Sequence, residues 1–404
     1  MDKSNNLKLS SMKKYHILWL ILFCLPMTIT GQYQIDSVLA QVDKNNTTLA
    51  ALRKNSEAEK IGNRTGIYLE NPEVGINYLW SDPAAPGNRT DINVVQSFDF
   101  PTAYGHRRHI SDYRNAQADL DYLNERRKIL LETRLLCIDI VSANALIREY
   151  EARNARAREL ADAYQVMFDK GEAGILELNK IKLTLLGVQK ELEALEIKRS
   201  AYLNQLKTLN GGINIGLDLR ELPDQTIPAD FDQWYAQTER LNPYLQWVDQ
   251  QVQILEQQEK LNRALSLPRA SAGYMSEFRA SEKLQGITAG ISIPLWENKN
   301  TVKYIQVKTL AWQEMAADFK LQYYNQFRNH YEKASGLQKT VSDYKQSLGL
   351  YQNTELLKIA FEKGEISLLT YLIELTLTYS TIDDYLQAEN ELNKAIAMLY
   401  QLKD

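Results

Sequence analysis

The chain has 404 residues, with 47 basic against 51 acidic side chains and a net charge of −4. Gly and Pro together number 28, about 7% of the chain against roughly 12% in an average protein, which argues against sandwiches, propellers and most turn-rich α/β enzymes. A sequence pI near 5.8 gives no electrostatic ground for a nucleic-acid partner, and 44% hydrophobic residues exclude global disorder. The two cysteines, Cys24 and Cys137, cannot form a disulfide framework.

In chain order, residues 1–31 resemble a secretory signal peptide. Lys13 and Lys14 supply positive charge, Ile17 to Leu25 the apolar stretch, and cleavage is expected near Gly31–Gln32. Phe23 before Cys24 is bulkier than a lipidation site normally accepts. Ile35 to Glu70 reads as a polar helix. From Glu73 to Trp80, Val74, Ile76, Tyr78 and Trp80 alternate with Glu73, Gly75, Asn77 and Leu79, the period of a strand with one apolar face. A second strand is predicted over Asp91 to Phe100, with Ile92, Val94, Phe98 and Phe100 on one face and Pro101 ending it. Roughly 65 residues without proline follow, Thr102 to Phe168, enough for a helix about 100 Å long. His106 and His109 stand at metal-ligand spacing, but Arg107 and Arg108 between them would repel a cation.

The helical run breaks at Lys170-Gly171-Glu172-Ala173-Gly174. Beyond it Leu178, Ile181, Leu185, Val188, Leu192, Leu195, Tyr202, Leu206 and Leu209 form a coiled-coil stripe, so the two segments predict a long helical hairpin. Cys137 lies on an apolar helical stripe and reads as a structural thiol.

The remainder repeats this plan. Phe168-Asp-Lys-Gly-Glu172 recurs as Phe361-Glu-Lys-Gly-Glu365, and Phe98 to Pro101 as Ile291 to Pro294, both at an offset of 193. Asn46, Pro72 and Tyr78 match Asn242, Pro268 and Tyr274 at an offset of 196. The chain therefore divides into residues 32–210, a linker at 211–230, and residues 231–404, each repeat reading helix, β-hairpin, helical hairpin. In the second copy Ile287, Ala289, Ile291 and Ile293 alternate with Thr288, Gly290 and Ser292. Leu368, Leu372, Leu375, Tyr379, Ile382 and Leu386 continue the second seam. About four strands are expected. Four cannot close a membrane barrel alone, since the smallest have eight, so a spanning barrel requires several chains. No nucleotide, zinc or hydrolase signature is present; the chain is expected to be no enzyme and to carry no cofactor.

Two tandem units, each with a strand pair and a long helical hairpin, resemble the TolC-like outer-membrane efflux factor family over about Gln32 to Leu402. The residues that carry the resemblance are Asn46 and Asn242, the strand–Pro junctions at Pro101 and Pro294, and the paired tips GEAGILEL and GEISLLTYL. The resemblance implies a mainly α fold with a small β part. It implies a homotrimer whose twelve strands form a barrel in the outer membrane and whose helices form a tunnel into the periplasm. It implies a passive exit duct for a tripartite efflux or type I secretion system, partnered by a periplasmic adaptor and an inner-membrane pump. The tips, Lys170, Gly171, Glu172, Ala173, Gly174, Ile175 and Lys363, Gly364, Glu365, Ile366, Ser367, Leu368, would meet the adaptor. Glu177, Tyr371 and Glu374 are the candidates for a constriction just inside them. Alternation then sets Val74, Ile76, Tyr78, Ile291 and Ile293 toward lipid and Asn77, Asn93, Ser97, Thr288 and Ser292 toward water. The rival reading is a periplasmic coiled-coil scaffold, which accounts for the helices but not for the alternating strands.

Overall fold

The computed structural model describes residues 29–82, 87–219, 221–223, 225–279, 282–351 and 354–401. The expected signal peptide falls almost wholly outside these residues; Ile29 to Gly31 are the first residues of a helix. The elements are α1 (Ile29–Asn45), α2 (Thr47–Gly62), β1 (Glu73–Leu79), β2 (Arg89–Phe98), α3 (Pro101–Asp169), α4 (Ile175–Leu209), α5 (Phe231–Glu239), α6 (Pro243–Leu265), β3 (Arg269–Arg279), β4 (Glu282–Ser292), α7 (Thr301–Tyr351), α8 (Thr354–Glu362) and α9 (Leu368–Leu399). The order α2-β1-β2-α3-α4 recurs as α6-β3-β4-α7-α8-α9. The protein is mainly α with one small sheet.

Several boundaries differ from the sequence expectation, each for a local reason. The single helix expected over Ile35 to Glu70 is two, because Asn46 interrupts it: its backbone N–H closes the last turn on Val42, and α2 begins afresh at Thr47. Asn242 holds the matching place in the second repeat, where its side-chain oxygen accepts from the backbone N–H of Tyr244 and Leu245 and caps α6. The chain leaves α2 at Gly62, with Thr65 donating back to the Gly62 carbonyl at 2.7 Å, so residues up to Glu70 are not helical. β2 stops at Phe98, leaving Phe100 outside the sheet, and β4 stops at Ser292, leaving Ile293 beyond it. Pro101 is the first residue of α3, where its missing N–H costs no helical bond.

The helix expected between Thr102 and Phe168 is α3, 69 residues and about 100 Å long. Among the described residues no helix is long and apolar enough to cross a membrane.

Two compact units divide the described residues, and each draws on both sequence repeats. One comprises the described part of Met1–Asn46 with Leu130–Ile227 and His330–Leu399. In it Ile35, Val38, Leu39 and Val42 line the buried face of α1, and Cys137, Ile138, Ile140 and Val141 are buried on α3. The leucine stripe of α4 falls on its least exposed positions, with Leu178, Ile181 and Leu206 fully covered. Leu368, Leu375 and Ile382 are likewise buried on α9. Asn144 of α3 donates to the carbonyls of Leu217 and Leu219 at 3.2 and 2.8 Å, tying down the irregular segment after α4.

The other unit comprises Thr47–Ile129, Pro228–Asn329 and the described part of Tyr400–Asp404. It contains the sheet, antiparallel throughout in the order β1-β2-β3-β4. Beside it Ala103 and Ile110 of α3 pack with Ile254, Leu261 and Ala264 of α6. An aromatic cluster joins α5 to α7: Phe231, Tyr235 and Tyr324 pack edge-on or stacked with ring centroids 5.2–5.6 Å apart, and Phe327 is fully buried among them.

Candidate functional site

The strand register assembles two chemically different faces. Val74 pairs with Val94, Val94 with Tyr274, and Tyr274 with Ile287, so one row of the sheet is apolar across all four strands. Ile76 and Ile92 pair in the next row, Tyr78 and Thr90 in the one after, and Ile291 pairs with Ala270 on the same face. Most of these apolar side chains are exposed, Ile287 at 91%, Ile291 at 75% and Ile76 at 68%, while Ile92 is half-buried; Gln96, Ser276, Lys283 and Gln285 share the face, Ser276 buried. Such a surface has no stable place in water. Tyr78 also stacks edge-on with Trp80 just past the strand, at 5.6 Å.

Asn77, Asn93, Ser97, Thr288 and Ser292 all lie on the opposite face, with Asp91, Glu277, Arg89 and Arg279. Ile293, grouped with the apolar face from the sequence, lies beyond the end of β4, exposed but outside the ladder. Among the described residues β1 and β4 each have one neighbouring strand, so both edges of the sheet present unpaired backbone groups.

A charged junction that sequence reasoning missed sits at the base of the sheet. Asp99, directly after β2, is buried and pairs with Arg107 of α3 at 2.5 Å and with Arg269 of β3 at 3.1 Å. Arg107, one of the two arginines between the histidines, is thus engaged inside the chain. His106 is hydrogen-bonded to Gln257 of α6 at 3.1 Å. Among the described residues no three His, Cys, Asp or Glu side chains gather as a metal site.

The two hairpin tips share one backbone geometry. At the first, Gly171 N–H donates to Phe168 and Glu172 N–H to Met167, at 2.9 and 2.8 Å. At the second, Gly364 donates to Phe361 and Glu365 to Ala360, both at 2.9 Å. Each is a Schellman closure with Gly in the left-handed region, φ +77° at Gly171 and +74° at Gly364. The following helices are capped, by Glu177 accepting from Gly174 N–H at 3.1 Å and by Ser367 accepting from Thr370 N–H at 3.1 Å.

Beneath these turns Tyr164, Leu178, Ile181 and Leu368 form a buried cluster, with Phe361 and Leu372 packed against it. Leu368, expected at the docking surface, is therefore a core residue of the tip, and Ala173 also packs against this cluster. Ile175 and Leu176, the latter 81% exposed, stand outward beside Lys170, Gly171 and Glu172, as do Lys363, Gly364, Glu365 and Ser367, with Ile366 half-buried between them.

The three constriction candidates separate. Tyr371 is 6% exposed, its ring stacked on Phe361 at 4.6 Å, because it falls on the inward stripe of α9 three residues after Leu368. Burial raises its phenol pKa. It also lines the edge of a cavity that Arg153 and Asp383 border, and a place at a constriction stays a proposal. Glu374 is exposed, and Glu177 is exposed but engaged as the α4 cap.

Farther along α3, Arg153 has a side chain only 2% exposed. It grips Asp383 of α9 through two nitrogens at 2.9 and 2.7 Å, lies 4.5 Å from the ring centroids of both Tyr150 and Tyr379, and donates to the Tyr379 carbonyl. Burial opposes its charge, and the Asp383 carboxylate outweighs this and raises the pKa. The cluster borders a cavity of about 410 Å³ lined also by Leu160, Glu191 and Leu375. The partners are 230 residues apart, and nothing in the sequence pairs them.

No family model and no curated protein matches the chain. Solved structures do. The chain is similar to CusC, a transmembrane channel, with TM-score 0.78 and 13% identity over 92% of each chain. It is similar to the outer membrane channel CmeC of Campylobacter jejuni, with TM-score 0.77 and 15% identity over 91% of this chain and 85% of that one. The open-state outer membrane channel MtrE of Neisseria gonorrhoeae gives 0.72 and 14%, over 91% and 88%. The chain has the fold of these outer membrane channels, the fold that the resemblance to TolC-like efflux factors implies.

Proposed function

We propose that three copies of this chain close a twelve-stranded barrel in the outer membrane and serve as a passive exit duct, with the helical hairpins continuing the passage into the periplasm. The observation that carries this reading is the sheet: four strands with an exposed apolar face, a polar opposite face and two open edges. Such a sheet satisfies its backbone and its apolar surface together only by closing with other copies inside a lipid layer. The fold shared with outer membrane channels supports the same reading. The chain makes and breaks no bond. An inner-membrane pump and a periplasmic adaptor, the latter meeting the exposed residues of the two tips, complete the efflux or secretion assembly.

Expression with the native leader, membrane fractionation and planar-bilayer recording test this. The expected result is an outer-membrane species whose gel migration shifts on heating and whose purified form conducts ions. A soluble rod-shaped species with no conductance would instead establish the coiled-coil scaffold.

A further inference from the structure

Near the β1–β2 and β3–β4 turns, the polar face of the sheet carries an arrangement that charge repulsion alone would forbid. Asp91 of β2 lies directly opposite Glu277 of β3, and two positions nearer the turns Arg89 lies directly opposite Arg279. Like charges in directly opposed positions destabilise a sheet. Arg89 resolves the conflict: its guanidinium is 2.7 Å from Asp91 and 3.2 Å from Glu277, and all three side chains are largely covered, with exposures of 32%, 15% and 22%. The other groups in these two rows are Asn77, Leu79 and Leu284, which are uncharged, and Glu282, which pairs with Arg279 in the register. The belt therefore holds two arginines against three carboxylates, a net −1 per chain.

We propose that Arg89 is the charge-setting residue of the duct: by neutralising the Asp91–Glu277 pair it keeps this part of the lumen close to balance, so that anionic as well as cationic cargo passes. The inference rests on the reading of the sheet as part of a trimeric barrel with its polar face inward. Without Arg89 the belt would carry −2 per chain, doubling the charge ring in a confined, low-dielectric passage that focuses the field.

The test is the reversal potential of the purified wild type, Arg89→Gln and the double variant Asp91→Asn with Glu277→Gln in planar bilayers under a KCl gradient. Arg89→Gln should raise the potassium-over-chloride permeability ratio by about twofold or more, and the double variant, left at +1 per chain, should shift it toward chloride. Arg89→Gln also exposes two facing carboxylates, so millimolar Mg²⁺ should block it more than the wild type. Channels that form and conduct with reversal potentials unchanged in both variants overturn the assignment of Arg89. Absence of any conducting wild-type species overturns the duct itself. If Arg89→Gln fails to assemble, the double variant decides: a shift toward chloride upholds the proposal, and no shift rejects it.

Discussion

Cys137 lies on α3 with no exposed surface, and burial pushes its thiol from about 9.0 up to about 12, Arg134 pulling weakly the other way. A folded thiol that stays protonated where the unfolded one ionises contributes stability that is fully present below about pH 9. That stability is lost as pH rises toward 12. In a Cys24→Ser background, maleimide at pH 8 should therefore label the native protein roughly two to three orders of magnitude more slowly than the urea-unfolded chain. Fast labelling of the native protein would show that α3 is not packed here. The position of Cys137 on an apolar stripe made this environment legible from sequence. The Arg153–Asp383 and Asp99–Arg269 pairs were not legible, because their partners come from elements far away in the chain and no periodicity marks them.

At the scale of elements, side-chain alternation and register make opposite demands on neighbouring residues of β4. Ile287, midway along β4, is exposed on the apolar face, and Thr288 belongs to the other face. An arginine facing lipid costs about 2 to 4 kcal/mol at the midplane and about 0 to 1 near the interfaces, where Ile291 and Ser292 stand at the end of the strand. Ile287→Arg should reduce heat-resistant trimer recovered from membranes, while Thr288→Arg should leave it intact. Equal yields of the two variants would mean that the faces are assigned wrongly.

The tips separate backbone from side-chain effects. A Cβ at Gly171 or Gly364 would meet nothing within 4 Å, so only the left-handed φ constrains these positions. A left-handed residue costs roughly 1 to 2 kcal/mol for ordinary side chains, and asparagine bears it best. Gly171→Val with Gly364→Val should abolish export while the trimer still forms, and Gly171→Asn with Gly364→Asn should retain it. Export that survives the double valine change at normal protein level would remove the tips from the docking surface. Both turns were readable because Lys-Gly-Glu recurs at a fixed offset. The fate of Tyr371 was not. A tyrosine on an amphipathic helix is compatible with either a lumen or a core, and its stacking on Phe361 of α8 leaves no mark in the sequence.

On the scale of the whole molecule, the strand count was the most informative sequence feature, because four strands with one apolar face are an incomplete object. Among the described residues the sheet order leaves β1 and β4 as the edges, so the proposed closure would join β4 of one copy to β1 of the next. Such an interface is heterologous and ends only when the ring closes. What the pattern left unread were the ends of elements. Asn46 splits the first helix, and β2 and β4 stop short of the prolines, because local hydrogen bonds rather than hydrophobic period decide where a segment ends. Electron cryo-microscopy of the membrane-extracted protein in lipid nanodiscs tests the central claim most directly. The predicted result is a threefold particle whose lipid-embedded part is a closed ring of twelve strands, with β4 of each copy hydrogen-bonded to β1 of its neighbour. A monomeric sheet, a ring of another strand number, or strands lying outside the lipid would contradict it.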